Sequence, residues 1–308
     1  MYKKHSRFPF IRYISVAFWP TWIGLAILRC IIMLPYKQAI WTGSLLGRII
    51  YLVPSAAKET ARRNIAACFP ELDAARQRRL LKDSFLSLGI SLIEISMCWW
   101  ALEKKILCRT RITGLDRLTA LHEQKQGAIL LTAHFTTIEI GGSVINRYLP
   151  VAIMYREQKN KLFDAIMVRA RERNCYQVIH RNAIKTMIKT LRAGELCWYA
   201  PDQHYSGRQF VFADFFGRPA ATTTATARLA ELTAAKVLPF YQVRLPDYQG
   251  YEIVIDKPLE NFPSGDVQHD TETINRALEQ MIRQAPAQYL WSHRRFKKTP
   301  DGITPLYP

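Results

Sequence analysis

The hydrophobic pattern changes character along the chain, with a soft boundary near residue 110. Before it, apolar positions fall in long stretches with helical spacing. Tyr13 to Leu28, "YISVAFWPTWIGLAIL", carries no charge, Arg29 interrupts it, and "CIIML" continues to Leu34. A helix over 11–34 would be about 36 Å long at ~1.5 Å per residue, enough to cross ~30 Å of hydrocarbon. Arg29 would lie near one end and could snorkel, and tyrosine and tryptophan stand at interface positions. Pro20 and Arg29 favour a helix lying flat in the interface or re-entering it over a straight span. No A-x-A site follows, which argues against a cleaved signal peptide. Residues 37–53 read as an amphipathic helix. Residues 55–67 read as a polar helix with Ser55 as N-cap after Pro54. Pro70 opens a break, and 73–102 is helical, basic at first and apolar later.

Beyond residue 110 short apolar runs alternate with helical patterns. Strands are predicted over 127–134, 151–156, 176–180, 195–202, 237–245 and 250–259, and helices over 139–146, 159–173, 183–193, 222–235 and 270–284. The alternation predicts an α/β fold with a mixed, largely parallel sheet flanked by helices. The last two strands, joined by a short loop, are expected to form an antiparallel edge. The expected organisation is a membrane-anchoring helical segment over 1–54 and an α/β domain over 55–308, with a helical lead-in to about residue 110.

The charge narrows the partners. The 308 residues hold 43 Lys and Arg against 25 Asp and Glu, a formal net charge of +18. Such an excess implies nucleic acid, an anionic membrane, a phosphorylated substrate or an acidic protein. Lys3, Lys4, Arg7 and Arg12 make the amino tail basic, so the positive-inside rule keeps it cytoplasmic. Cysteines at 30, 68, 98, 108, 175 and 197 form no C-x-x-C pair, which argues against a zinc site or a disulfide framework. No metal and no cofactor is expected.

Four stretches could carry chemistry. In "AILLTAHFTTIEIGG" (128–142), His134 falls at a strand end, where open α/β sheets build sites. Glu139 would lie in the first turn of the next helix and could turn back to fix the imidazole tautomer, leaving the other nitrogen as a base. The pair alone is weak, since a histidine at a strand end is commonly structural. Arg156 ends the next strand, where it could hold a phosphate or an oxyanion or simply pair on the surface. The stretch 200–224, with Asp202, Gln203 and His204, reads as a long loop before a helix, a length that suits ligand binding. "WSHRRFKK" (291–298), with Arg294 and Arg295, could meet phosphates or lipid headgroups. No nucleic-acid-binding motif accompanies it, so no nucleic-acid partner is expected.

Taken in order, "ARRNIAACFPEL" (61–72), "AHFTTIEIGG", "YR", "PDQ" with its later "ATTT", and "YLWSHRRFK" (289–297) resemble the late acyltransferases of lipid A biosynthesis, the lauroyl and myristoyl transferases. The resemblance covers nearly the whole chain and implies a glycerolphosphate-acyltransferase-like fold. It implies transfer of an acyl chain from acyl carrier protein to a hydroxyl on a phosphorylated glycolipid acceptor, at the bacterial inner membrane with the site facing the cytoplasm. It implies His134 as general base, Glu139 as its orienting carboxylate, and Arg156 and Asp202 near the site, with direct attack on the thioester and no acyl-enzyme. His204 departs from the pattern after "PDQ". The mannoside acyltransferases share much of this pattern, which leaves another glycolipid, such as a phosphatidylinositol mannoside, as an alternative acceptor. A non-catalytic basic lipid-binding module and a hydrolase are the competing classes, though no G-x-S-x-G elbow is present.

Overall fold

The computed structural model describes residues 10–205, 207, 209–300 and 302–307; the basic residues Lys3, Lys4 and Arg7 lie outside them. The amino portion breaks into short pieces where one long helix was expected. Two 3₁₀ turns, Phe10–Tyr13 and Val16–Phe18, precede α1, Trp19–Ile31. Pro20 sits in the first turn of α1, where its missing N–H and fixed φ suit a helix start and nothing earlier. Among the described residues no helix is long and apolar enough to cross a membrane. Helices α2 (Tyr36–Leu52), α3 (Ala56–Cys68) and α4 (Ala74–Trp100) follow as the pattern predicts. Ser55 and Asp73 cap the last two by accepting from the backbone N–H groups of Lys58 and Arg76.

Glycines set the contact between α2 and α4. A Cβ built on Gly89 would stand 2.2 Å from the Gly47 nitrogen, and one on Gly47 would stand 2.4 Å from the Phe85 carbonyl oxygen. The two backbones therefore touch where side chains would normally separate them.

The remaining strands are β1 (Thr110–Thr113), β2 (Ala128–Leu131), β3 (Val151–Tyr155), β4 (Gln177–His180), β5 (Leu196–Tyr199), β6 (Phe210–Phe215), β7 (Arg218–Thr223), β8 (Lys236–Arg244) and β9 (Tyr251–Ile255). Helices α5 (Leu115–Glu123), α6 (Ile138–Ile145), α7 (Lys161–Asn174), α8 (Ile184–Arg192), α9 (Ala225–Thr233) and α10 (Val267–Gln284) connect them. Seven strands form one sheet in the order β1-β9-β8-β2-β5-β3-β4, parallel throughout except for β8 against β9. In β2, Ala128 and Leu130 join one core, with Trp99, Val144 and Trp198, and Ile129 and Leu131 join the other, with Phe85, Leu278 and Trp291. Burial on both faces explains why this strand is apolar without alternation. The first core also takes in Leu25, Ile32, Tyr36 and Ile40, so α1 and α2 share it with the sheet.

Helix α5 was not among the expected helices, and two features of the strands also depart from the sequence reading. The antiparallel pair is not the sheet edge, because β1, a short polar strand with alternate residues exposed, lies outside it. The expected loop at 200–224 contains an antiparallel hairpin, β6 with β7, which delays the following helix to Ala225. Its turn places both Phe216 (φ 55°) and Gly217 (φ 73°) in the left-handed region. A phenylalanine rarely occupies that position, so "FFGR" does not announce a turn.

Replacing Gly89 by alanine should lower stability by about 1–3 kcal/mol, since the clash is with backbone. Thermal unfolding of the purified protein checks this; an unchanged Tm would show that the two helices can move apart freely.

Candidate active site

Strands β2 and β5 run parallel in a register that pairs Leu131 with Tyr199. Three residues past the end of each strand stand His134 and Asp202. The Asp202 carboxylate holds the histidine at two points: Oδ1 lies 2.6 Å from the ring Nδ1, and Oδ2 accepts the backbone N–H of His134 at 3.0 Å. The Tyr289 side chain stands near Asp202 and helps to hold its charge. Asp202 is 1% exposed and the imidazole 33% exposed, so the carboxylate lies behind the ring. With Nδ1 committed to Asp202, Nε2 is the free nitrogen. Burial would push the imidazole pKa down, but the charge and hydrogen bond of Asp202 outweigh it and leave it above the ordinary value. Asp202 is held below the usual carboxylate range: burial opposes the shift, but the charge and hydrogen bonds of His134 prevail.

The segment after β2 is held by the chain around residue 289. Leu290 N–H donates to the His134 carbonyl at 3.0 Å, Thr136 N–H donates to Gln288 O at 2.7 Å, and Phe135 bridges Tyr289. Ser87 of α4 shares a 2.7 Å hydrogen bond with Thr136 and accepts from Arg244 Nη1 at 2.9 Å. Arg244 in turn forms a buried two-pronged pair with Glu94 at 2.5 and 2.6 Å. Helix α6 then sits close on the sheet because it has no Cβ where it meets it. A Cβ on Gly141 would strike the Gln242 side chain, and one on Gly142 would strike Trp198.

Glu139 does not orient His134. Its oxygens accept from Arg171 of α7, with Nη2 at 2.5 Å and Nε at 3.2 Å, and from the Trp99 indole at 3.1 Å. Both members of the Glu139–Arg171 pair are largely buried. The carboxylate that the spacing assigns to the histidine instead ties α6 to α4 and α7, and Asp202 has its place.

The other expected residues fall in different settings. Arg156 is exposed just beyond β3, at the same carboxyl edge as His134 but separated from it by β5. Gln203 is partly exposed beside Asp202. The His204 backbone N–H donates to His293 Nε2 at 2.9 Å. Arg294 is exposed, with its guanidinium over the Tyr307 ring. Arg295 is not open to a ligand. It is 2% exposed and donates to Ala221 O at 2.8 Å and Thr222 Oγ1 at 2.6 Å, with its guanidinium over Phe215.

All the stretches that share the resemblance except "YR" therefore converge. Asn64, in "ARRNIAACFPEL", donates from Nδ2 to the carbonyls of Trp291 and His293 at 2.7 and 2.8 Å. Phe69 packs edge-on against Trp291 at 5.6 Å. Arg295 joins "ATTT", and Tyr289 joins "PDQ". Arg171 and Trp99 belong to no motif noted in the sequence.

A buried Asp behind a partly exposed His, at the carboxyl edge of a largely parallel sheet, is an arrangement able to take up and return a proton. The profile of the bacterial lipid A biosynthesis acyltransferases matches residues 10–298, and the chain belongs to that family of enzymes. It is 34% identical to the lipid A biosynthesis lauroyltransferase of Escherichia coli (strain K12) over 94% of this chain and 95% of that one. It is also 34% identical over the same shares to the palmitoleoyltransferase of that organism. Identity to the lipid A biosynthesis acyltransferase of Haemophilus influenzae is 32%, over 95% of each chain.

Two substitutions separate the carboxylates. A histidine base must be neutral, so activity should fall as the pH drops through the raised imidazole pKa. Asp202→Asn should move that acid limb to lower pH and reduce the plateau by roughly 10²–10⁴-fold. Glu139→Gln leaves Arg171 buried without its counter-charge, which should cost about 3–5 kcal/mol in unfolding experiments, and leaves the acid limb where it was. A pH–rate profile and a denaturation curve for each variant check both.

Proposed function

We propose that this acyltransferase moves a fatty acyl chain from acyl carrier protein to a hydroxyl of a lipid A precursor, with His134 as the general base. Nε2 takes the proton of the acceptor hydroxyl as its oxygen attacks the thioester carbonyl. The tetrahedral adduct expels the carrier thiolate, and the imidazolium returns the proton to sulfur. Asp202 keeps the ring in the tautomer with Nε2 free and stabilises the imidazolium, as the aspartate of a catalytic triad does. No covalent acyl-enzyme is needed. The observation that carries this reading is the two-point hold of Asp202 on the ring and backbone of His134. The +18 charge suits both an acidic donor protein and a phosphorylated acceptor.

The amino helices support action at a membrane surface, in this reading the cytoplasmic face of the inner membrane. Trp19, Ile23 and Ile27 make an exposed stripe on α1, and Trp41, Leu45, Ile49 and Leu52 make one on α2. Both recur at about helical spacing and stay apolar in solvent, which marks a membrane-facing surface. Thirteen residues of α1 give about 20 Å, short of the ~30 Å hydrocarbon thickness, so the stripes fit a protein lying in the interface. Arg12, Arg29 and Arg48 supply cations for anionic headgroups.

His134→Ala should lower acyl transfer by at least about 10²-fold in a folded protein. Mass spectrometry of lipid from cells with and without the chain should show one acyl group added to a lipid A precursor only with the active form. Free fatty acid as the product would indicate hydrolysis, and acylation of another glycolipid would move the acceptor. Trp19→Glu with Ile23→Glu should release the protein from anionic vesicles in flotation assays; full retention would overturn the interfacial placement.

A further inference from the structure

We propose that His293 is a positioning residue that sets Asp202 against His134, by holding the backbone two residues beyond Asp202 through its own imidazole. The proposal rests on the reading of His134 as the base.

The loop from β5 to β6 runs from residue 200 to 209 and carries Asp202. Among the described residues, two groups tether its first part to the molecule. One is the Asp202 carboxylate itself, engaged with His134 and Tyr289. The other is the His204 backbone N–H, which donates to His293 Nε2 at 2.9 Å. The second tether does not depend on the side chain at 204. An N–H can only donate, so His293 Nε2 is unprotonated and the ring is neutral, with its proton on Nδ1. Burial together with His134, Arg295 and His204 holds the His293 pKa down at about 4, with Asp202 opposing. The ring therefore remains an acceptor wherever His134 can act as a base.

The backbone that bears this imidazole is fixed from several sides. The His293 carbonyl accepts from Asn64 Nδ2 at 2.8 Å and from the Arg295 N–H at 2.9 Å. Asn64 reaches the Trp291 carbonyl as well, and the Tyr307 hydroxyl donates to Asn64 Oδ1. Position thus passes from α3 through Asn64 to residue 293, and through its ring to the loop that carries the aspartate. Displacing a catalytic group by ~1 Å is enough to cost about 10²-fold in rate.

The test compares variants that differ in where they present an acceptor. Gln places Oε1 near the position of Nε2, whereas Asn and Ala fall short of it. His293→Ala and His293→Asn should lower kcat by about tenfold to a hundredfold with KM for the acyl donor within about twofold. In both, the acid limb of the pH–rate profile should move to lower pH, as the imidazolium of His134 loses part of its carboxylate support. His293→Gln should restore most of kcat and the position of the limb. Equal activity of the Gln and Asn variants, or an unmoved acid limb in Asn and Ala, would overturn the positioning role. Near-normal turnover of His134→Ala would overturn the assignment of the base instead, so the two failures are distinguishable.

Discussion

One carboxylate gripping both the ring and the backbone of one histidine is the interaction on which the site depends. A single hydrogen bond to Nδ1 would fix the tautomer but let the ring swing with its loop. By also accepting the His134 N–H, Asp202 satisfies a backbone donor just past β2 and fixes where that segment leaves the sheet. The same aspartate would be costly to bury alone. It is tolerated at 1% exposure because the ring and the N–H of His134 both point at it. Holding the histidine and keeping the charge buried are therefore one arrangement.

Around that grip the fold supplies stiffness through buried ion pairs joining elements distant in sequence. Glu94 and Arg244 link α4 to β8, and Ser87 carries that link to Thr136, two residues past the histidine. Glu139 and Arg171 link α6 to α7 beneath Trp99. Neither pair is strong reason to expect extra stability, since desolvation offsets much of the attraction. What they fix is geometry: each replaces a deformable apolar contact by a directed, two-pronged one. The close seat of α6 on Gln242 and Trp198, made possible by Gly141 and Gly142, does the same with shape.

Most of the architecture was legible in the sequence. The alternation after residue 110 foretold the parallel strands and their helices to within a few residues, and Ser55 capped where its chemistry said it would. The misses have physical causes. β1 is short and half polar, so it lacks an apolar run. The β6–β7 hairpin turns on a phenylalanine with positive φ, which no turn rule anticipates. A proline in the first turn of α1 made the long amino helix start late. At the site, His134, Glu139 and Asp202 were all marked, but the wrong carboxylate was assigned to the ring. Sequence proximity favoured Glu139, five residues on. Asp202 is 68 residues away, and only the register of β2 against β5 brings it opposite the histidine. Arg171 and Trp99 sit within ordinary helical patterns, where nothing local distinguishes them. Arg295 looked like a ligand-binding cation because a basic cluster gives no sign of which member turns inward.

The convergence of residues 288–296 on His134, Asp202 and Asn64 also orders events in time. Ribosomal synthesis delivers the histidine and its aspartate well before the segment that receives the Thr136 N–H and bears Tyr289 and His293. A nascent chain that has made both catalytic candidates still lacks the supports that place them. The centre can assemble only after residue 296 has left the exit tunnel, when β1 to β9 and the helices between them are already made.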